Sequence, residues 1–200
     1  MVKTSTRIAT IFAALLMMTQ FGWAHTGVGG TSGFAHGFSH PLGGLDHMLA
    51  MVAVGLLAVQ LGSRALWLVP LSFLAMMAVG GAAGVFGIKL PLIELGIAGS
   101  VIVLGALVAL QASITVTVAM GLVGFFAIFH GFAHGAEMPV NVSGFTYAAG
   151  FMTATAILHG LGMAFGLAIG SLAQGRFVRA SRVAGGVISL AGAGILTGVI

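Results

Sequence analysis

His130, His134 and Glu137 are spaced four and then three residues apart. On a helix this spacing puts all three on one face, with the two imidazoles about 6 Å apart along the axis at 1.5 Å per residue. Two imidazoles that close can converge on one metal ion. The carboxylate then either joins them as a third ligand or fixes an imidazole tautomer from behind. A second group lies in the run His40-Pro41-Leu42-Gly43-Gly44-Leu45-Asp46-His47. In an unbroken helix His40 and His47 would be about 10.5 Å apart along the axis, too far for one ion. Gly43-Gly44 offers a break. Either the backbone unwinds there, as broken helices do at transporter sites, or His40 belongs to an outer capture site and Asp46 with His47 to an inner one. The spacing leaves both arrangements open. Imidazole and carboxylate without sulfur suit a borderline divalent ion such as Ni, Co, Zn or Cu, whereas Mg or Ca would want more oxygen. The chain has no Cys, which excludes thiolate metal sites, disulfides and thiol nucleophiles.

These groups make up most of the ionisable chemistry in the chain. Of its 200 residues, 59% are hydrophobic and 5% charged, with 33 glycines. Soluble domains carry about 25% charged residues, so the polar surface needed to face water is missing and the solvent must be lipid. The net charge of +4 comes from seven basic and three acidic residues. That is too few for a groove tracking phosphates, and no nucleic-acid partner is expected.

The elements that must carry these residues follow from hydropathy. Lys3 and Arg7, an apolar stretch from Ile8 to Met18 and then Gly22-Trp23-Ala24 resemble a secretory signal, so residues 1–24 are read as a signal peptide or an uncleaved first span. Residues 25–200 are read as an all-α, polytopic membrane helix bundle. Its six transmembrane helices are expected near 42–61, 65–87, 91–111, 113–135, 143–170 and 182–200, each near the roughly 20 residues a bilayer requires. The expected breaks fall at Gly62-Ser63-Arg64, Lys89-Leu90-Pro91, Gln111-Ala112-Ser113, around Pro139 and Asn141, and from Gln174 to Arg182. With the mature amino terminus outside, Arg64, Arg176, Arg179 and Arg182 lie on the cytoplasmic side and only Lys89 opposite, as the positive-inside rule requires. Stripes of small residues at Gly80/Gly84, Gly162/Gly166/Gly170 and Gly194/Gly198 are expected at helix–helix contacts.

In this topology all three acids and six of the seven histidines share the outer membrane face; only His159 lies deep in a span. Ionisable groups near a bilayer cost on the order of 2.5 to 3.5 kcal/mol each at its centre, so such clustering argues for a shared site. There is also an internal echo: Gly33-Phe34-Ala35-His36-Gly37 recurs as Gly131-Phe132-Ala133-His134-Gly135.

His40, five residues and then Asp46-His47, together with Phe129-His130-Gly131-Phe132-Ala133-His134-Gly135-Ala136-Glu137, resemble the two motifs of the HupE/UreJ family of membrane nickel permeases and accessory proteins, found with hydrogenase and urease gene clusters. The resemblance implies uptake of nickel, and of cobalt in some members, across the bacterial inner membrane toward metalloenzyme maturation proteins. It implies metal-handling roles for His40, Asp46, His47, His130, His134 and Glu137. Glu94 joins them by its place at the start of the third helix, His36 by its nearness to His40 and the echo, and His25 as a capture ligand that cleavage would expose. The metal is cargo, and no permanently bound cofactor is expected.

Three rivals fit parts of the pattern. An intramembrane zinc-dependent hydrolase would use the same ligand types, but no His-Glu-x-x-His is present. A bis-histidine haem protein needs two facing histidines at matched depth, and His159 has no clear mate. A copper carrier could use the 11 methionines, though Met at helical positions is usually core filler. The preferred reading is therefore a facilitator and not an enzyme. No GxxxxGK[ST] loop for ATP occurs, so an ion gradient, a proton couple or capture below must drive it. Arg176, Arg179 and Arg182 are read as anchors beside anionic lipid. Imidazoles must be neutral to bind metal, so uptake is expected to weaken as external pH falls from about 7.5 to about 5.5.

Overall fold

The computed structural model describes residues 33–172 and 174–200. The signal segment and His25 lie outside the described residues. Seven helices are found among those described: α1 (Gly33–Gly43), α2 (Leu45–Leu61), α3 (Ala65–Val85), α4 (Ile93–Ala109), α5 (Val116–Ala136), α6 (Gly144–Leu172) and α7 (Gln174–Leu196). The turns fall where polar and glycine residues interrupt the apolar runs. Gly62 closes α2 at φ 97°, a conformation a side chain would resist, and the Thr115 hydroxyl caps α5 by accepting from the Val118 amide.

Glycine decides how these helices pair. A Cβ on Gly131 would run into the Met77 carbonyl, one on Gly135 into that of Gly81, and one on Gly84 into that of Phe132. Contact positions therefore advance together along α3 and α5, which run parallel, backbone against backbone. The same logic joins α2 to α6 in parallel, with Gly55 against Gly162 and Val59 against Gly166. It joins α4 to α7 antiparallel, with Gly105 and Gly185 facing each other. Close approach of this kind gives dispersion contact where lipid supplies no hydrophobic drive. The internal echo turns out to be a packing device. Gly37 seats on the Tyr147 carbonyl and Phe34 presents its own carbonyl to Gly150, just as Gly135 seats on Gly81 and Phe132 meets Gly84.

The apolar lengths agree with a membrane bundle. By length and composition α3, α5 and α6 can each cross a bilayer; α1 and α2 pass together but are bent by 83°, and α4 is a shorter apolar helix of 17 residues. Two expectations change. The first expected helix, 42–61, starts at Leu45, and the preceding chain is itself helical back to Gly33. Polar residues there did not break the helix because α1 packs on α6 through the glycine contacts above. The last expected break, Gln174 to Arg182, is helical as well, since arginine is a good helix former and only the hydropathy falls there. Of the glycine stripes, Gly80/Gly84 and Gly162/Gly166 lie at contacts between helices. Gly198 faces open space at φ 69° instead, beyond the end of α7.

At the end of the bundle holding the α2 and α4 carboxyl termini, Gln60 donates to the Ala112 carbonyl at 3.1 Å. Gln111 there donates to the Ser181 hydroxyl at 2.9 Å. This tie fixes α2, α4 and α7 together opposite the end that carries the histidines.

Candidate metal centre

The chain breaks at a single residue between α1 and α2. Gly44 is extended (φ −101°, ψ 120°), and the two helices meet at 83°. Of the two arrangements the sequence leaves open, the structure has the break. His40 from α1 and His47 from α2 both reach His134 on α5, with ring centroids 5.0 and 4.7 Å away. His47 also meets His130 at 4.6 Å. Four imidazoles from three helices are thus in contact, and they grade from the surface inward. The His40 side chain is 33% exposed and that of His47 12%, while His130 and His134 are buried.

Hydrogen bonds fix three of the four tautomers. Asp46 Oδ1 accepts from the His47 amide at 2.7 Å and from the ring Nδ1 at 2.9 Å, which leaves the His47 lone pair on Nε2. The Ser100 hydroxyl spends its proton on the Ile97 carbonyl at 2.6 Å. Its oxygen therefore accepts from His130 Nε2 at 2.8 Å, and the His130 lone pair lies on Nδ1. Glu137 accepts from His40 Nε2 at 2.9 Å, which leaves the Nδ1 of His40 as the acceptor. Carboxylate or hydroxyl behind the ring and lone pair in front is how imidazoles are held for metal ligation. The Nε2 of His47, the Nδ1 of His130 and both nitrogens of His134 are buried without a hydrogen-bond partner.

The rings pack edge to face, His47 at 88° to His130 and 61° to His134. In these rotamers no group of three or more His, Asp or Glu among the described residues is disposed to hold one ion. For one ion to be held here, the rings would have to turn about their side-chain torsions. His134 stacks on Phe151 at 4.9 Å, and Tyr147 lies 6.3 Å from His40.

Of the residues singled out from sequence, His40, Asp46, His47, His130, His134 and Glu137 come together. Glu137 pairs with His40 across helices and not with a histidine of its own helix. Glu94 is exposed in the first turn of α4 and makes no hydrogen bond or ion pair with the cluster. His36 is exposed on α1, one turn before His40. Ser100 was missed because a serine in an apolar helix has no signature of its own. Phe73 was missed for a like reason; its ring lies 5.6 Å from His130 and forms the inner wall of the cluster.

The family described as HupE / UreJ protein matches residues 13–195. Protein HupE of Rhizobium leguminosarum bv. viciae is 45% identical over 196 residues, 96% of this chain and 98% of that one. No solved structure matches. The family match takes in both histidine motifs and, but for the last residue of α7, all seven described helices, and on that ground the chain belongs to the HupE/UreJ family.

Proposed function

We propose that this protein is a facilitator for a divalent transition metal, nickel first and cobalt second, crossing the bacterial inner membrane to supply hydrogenase or urease maturation. The observation that carries the reading is the group of four touching imidazoles, whose inner members bury unpartnered nitrogens in an apolar bundle. A buried polar atom without a partner costs about 1 to 3 kcal/mol, and a metal ion offsets that cost. Membership of the HupE/UreJ family supports the choice of metal.

In this reading six spans follow a signal segment at residues 1–24, the bent α1–α2 pair serving as the first span and α4 and α7 completing the set. The histidine end faces the periplasm, and Arg64, Arg176, Arg179 and Arg182 face the cytoplasm. His40 and Glu137, the most exposed pair, take the hydrated ion, with His36 and Glu94 as peripheral donors. His134, His47 and His130 then replace its water. Modest affinity at each step lets the ion leave again. Asp46 and Glu137 keep their hold on the imidazole N–H groups, so that the opposite nitrogens stay available to the ion.

Time-dependent nickel uptake into sealed proteoliposomes tests this, with cobalt, zinc and copper as competitors and a folded Asp46→Ala, His47→Ala variant as control. Uptake by the parent and its loss in the variant are expected. Stoichiometric binding without uptake would instead mark a sensor or a metal chaperone.

A further inference from the structure

His159 sits about 22 Å along α6 from its Gly144 end, near the middle of that helix. It is 1% exposed, and both ring nitrogens are buried without a hydrogen-bond partner. A lone histidine in a glycine-rich helix ordinarily bonds a neighbouring carbonyl, and this one does not. Its ring meets Phe73 edge to face, with centroids 5.0 Å apart, and the same Phe73 ring lies 5.6 Å from His130. One aromatic side chain therefore separates His159 from the innermost member of the four-histidine cluster. The flank of this step is also polar. Thr155, one turn before His159 on α6, is buried and donates to the Met77 sulfur at 3.7 Å, while the Met77 backbone packs on Gly131, the residue after His130. Oxygen, sulfur and nitrogen donors thus continue inward from the cluster between α3, α5 and α6. Below His159, α2 and α6 cross at Gly55 and Gly162 with no room for side chains.

We propose that His159 is a second, inner station that binds the transported divalent cation directly through an imidazole nitrogen, after the ion has passed the Phe73 ring. This rests on the transport reading above. It adds a ligand that neither sequence motif contains, and it divides the path into an outer site of several imidazoles and an inner site with one. An outer site of several ligands can strip water from the ion. An inner site with a single imidazole lets go more readily, which transport requires.

The absence of cysteine makes a direct test available. In His159→Cys the only thiol is at the proposed station, and nickel(II) chloride should raise a near-ultraviolet thiolate-to-nickel charge-transfer band that the parent lacks and a chelator removes. In His159→Leu, equilibrium nickel binding at the outer cluster should persist while uptake into proteoliposomes falls at least about tenfold, since losing a ligand is no milder than losing the partner of one. A His159→Cys protein that binds nickel without the band overturns the proposal, and so does His159→Leu transporting at the parental rate. If the parent itself takes up no nickel, the transport reading fails and the station fails with it. Parental uptake matched by His159→Leu would remove only the station.

Discussion

The Ser100 hydroxyl shows how a neutral side chain sets the chemistry of a buried imidazole. It has one proton, and the Ile97 carbonyl takes it, so the oxygen can only accept from His130. Ser100→Ala would leave the His130 Nε2–H without its acceptor and free the ring to change tautomer. Partners of this kind are worth about 10- to 100-fold in metal affinity, so nickel titration of the folded variant is expected to show a loss in that range. Unchanged affinity would mean that something else holds the ring. Asp46→Asn acts on the same principle at His47, where an amide can turn its NH2 toward the ring and oppose the Nδ1–H tautomer; a loss of similar size is expected from the same titration.

At the scale of elements, Gly44 and Gly135 do different work. A Cβ on Gly44 would stand 2.6 Å from Asp46 Oδ1 and 3.2 Å from His47 Nδ1. Gly44→Ala should therefore spoil the Asp46–His47 pair and cut uptake while helix content, followed by circular dichroism, stays at the parental level. Equal uptake would show that the pair can re-form around the methyl group. Gly135 lies at the α3–α5 crossing, where a Cβ would strike the Gly81 carbonyl. Gly135→Ala is expected to destabilise the bundle by about 1 to 3 kcal/mol, the usual cost of overpacking. Gly121, which has open space on the same helix, provides the comparison. There alanine should be neutral or stabilising by up to about 1 kcal/mol, and thermal unfolding in detergent would compare the two. Equal midpoints for both variants would remove glycine contact as the basis of the α3–α5 pairing.

For the whole molecule, the polar groups divide between the two ends of the bundle. One end carries the imidazoles and carboxylates, the other the Gln60–Gln111–Ser181 tie and the arginines of α7. Orientation can be read by single-cysteine labelling, because the parent contributes no thiol. Val140→Cys, in the exposed turn between α5 and α6, should react with a membrane-impermeant maleimide on intact spheroplasts. Ser63→Cys, between α2 and α3, should react only after lysis. The reverse pattern would place the histidine cluster in the cytoplasm and turn the proposed uptake into efflux.

Composition and short-range spacing by themselves determined that this chain is helical and lipid-solvated, and that His130 and His134 share a face. Those properties depend on the per-residue cost of burying charge and on the 3.6-residue turn, both local. Four of the five expected breaks also held, since glycine, proline and polar residues act on the backbone where they stand; the fifth failed because arginine lowers hydropathy without weakening a helix. Only the tertiary structure decided that the Gly44 break bends by 83° so as to bring His40 onto His134. It alone paired Glu137 with His40, placed Ser100 behind His130 and set Phe73 between His130 and His159. A glycine permits a bend in any direction, and which direction is taken depends on helices tens of residues away whose approach is set by other glycines. The ligand types were therefore legible from the chain, while the order in which an ion would meet them was not.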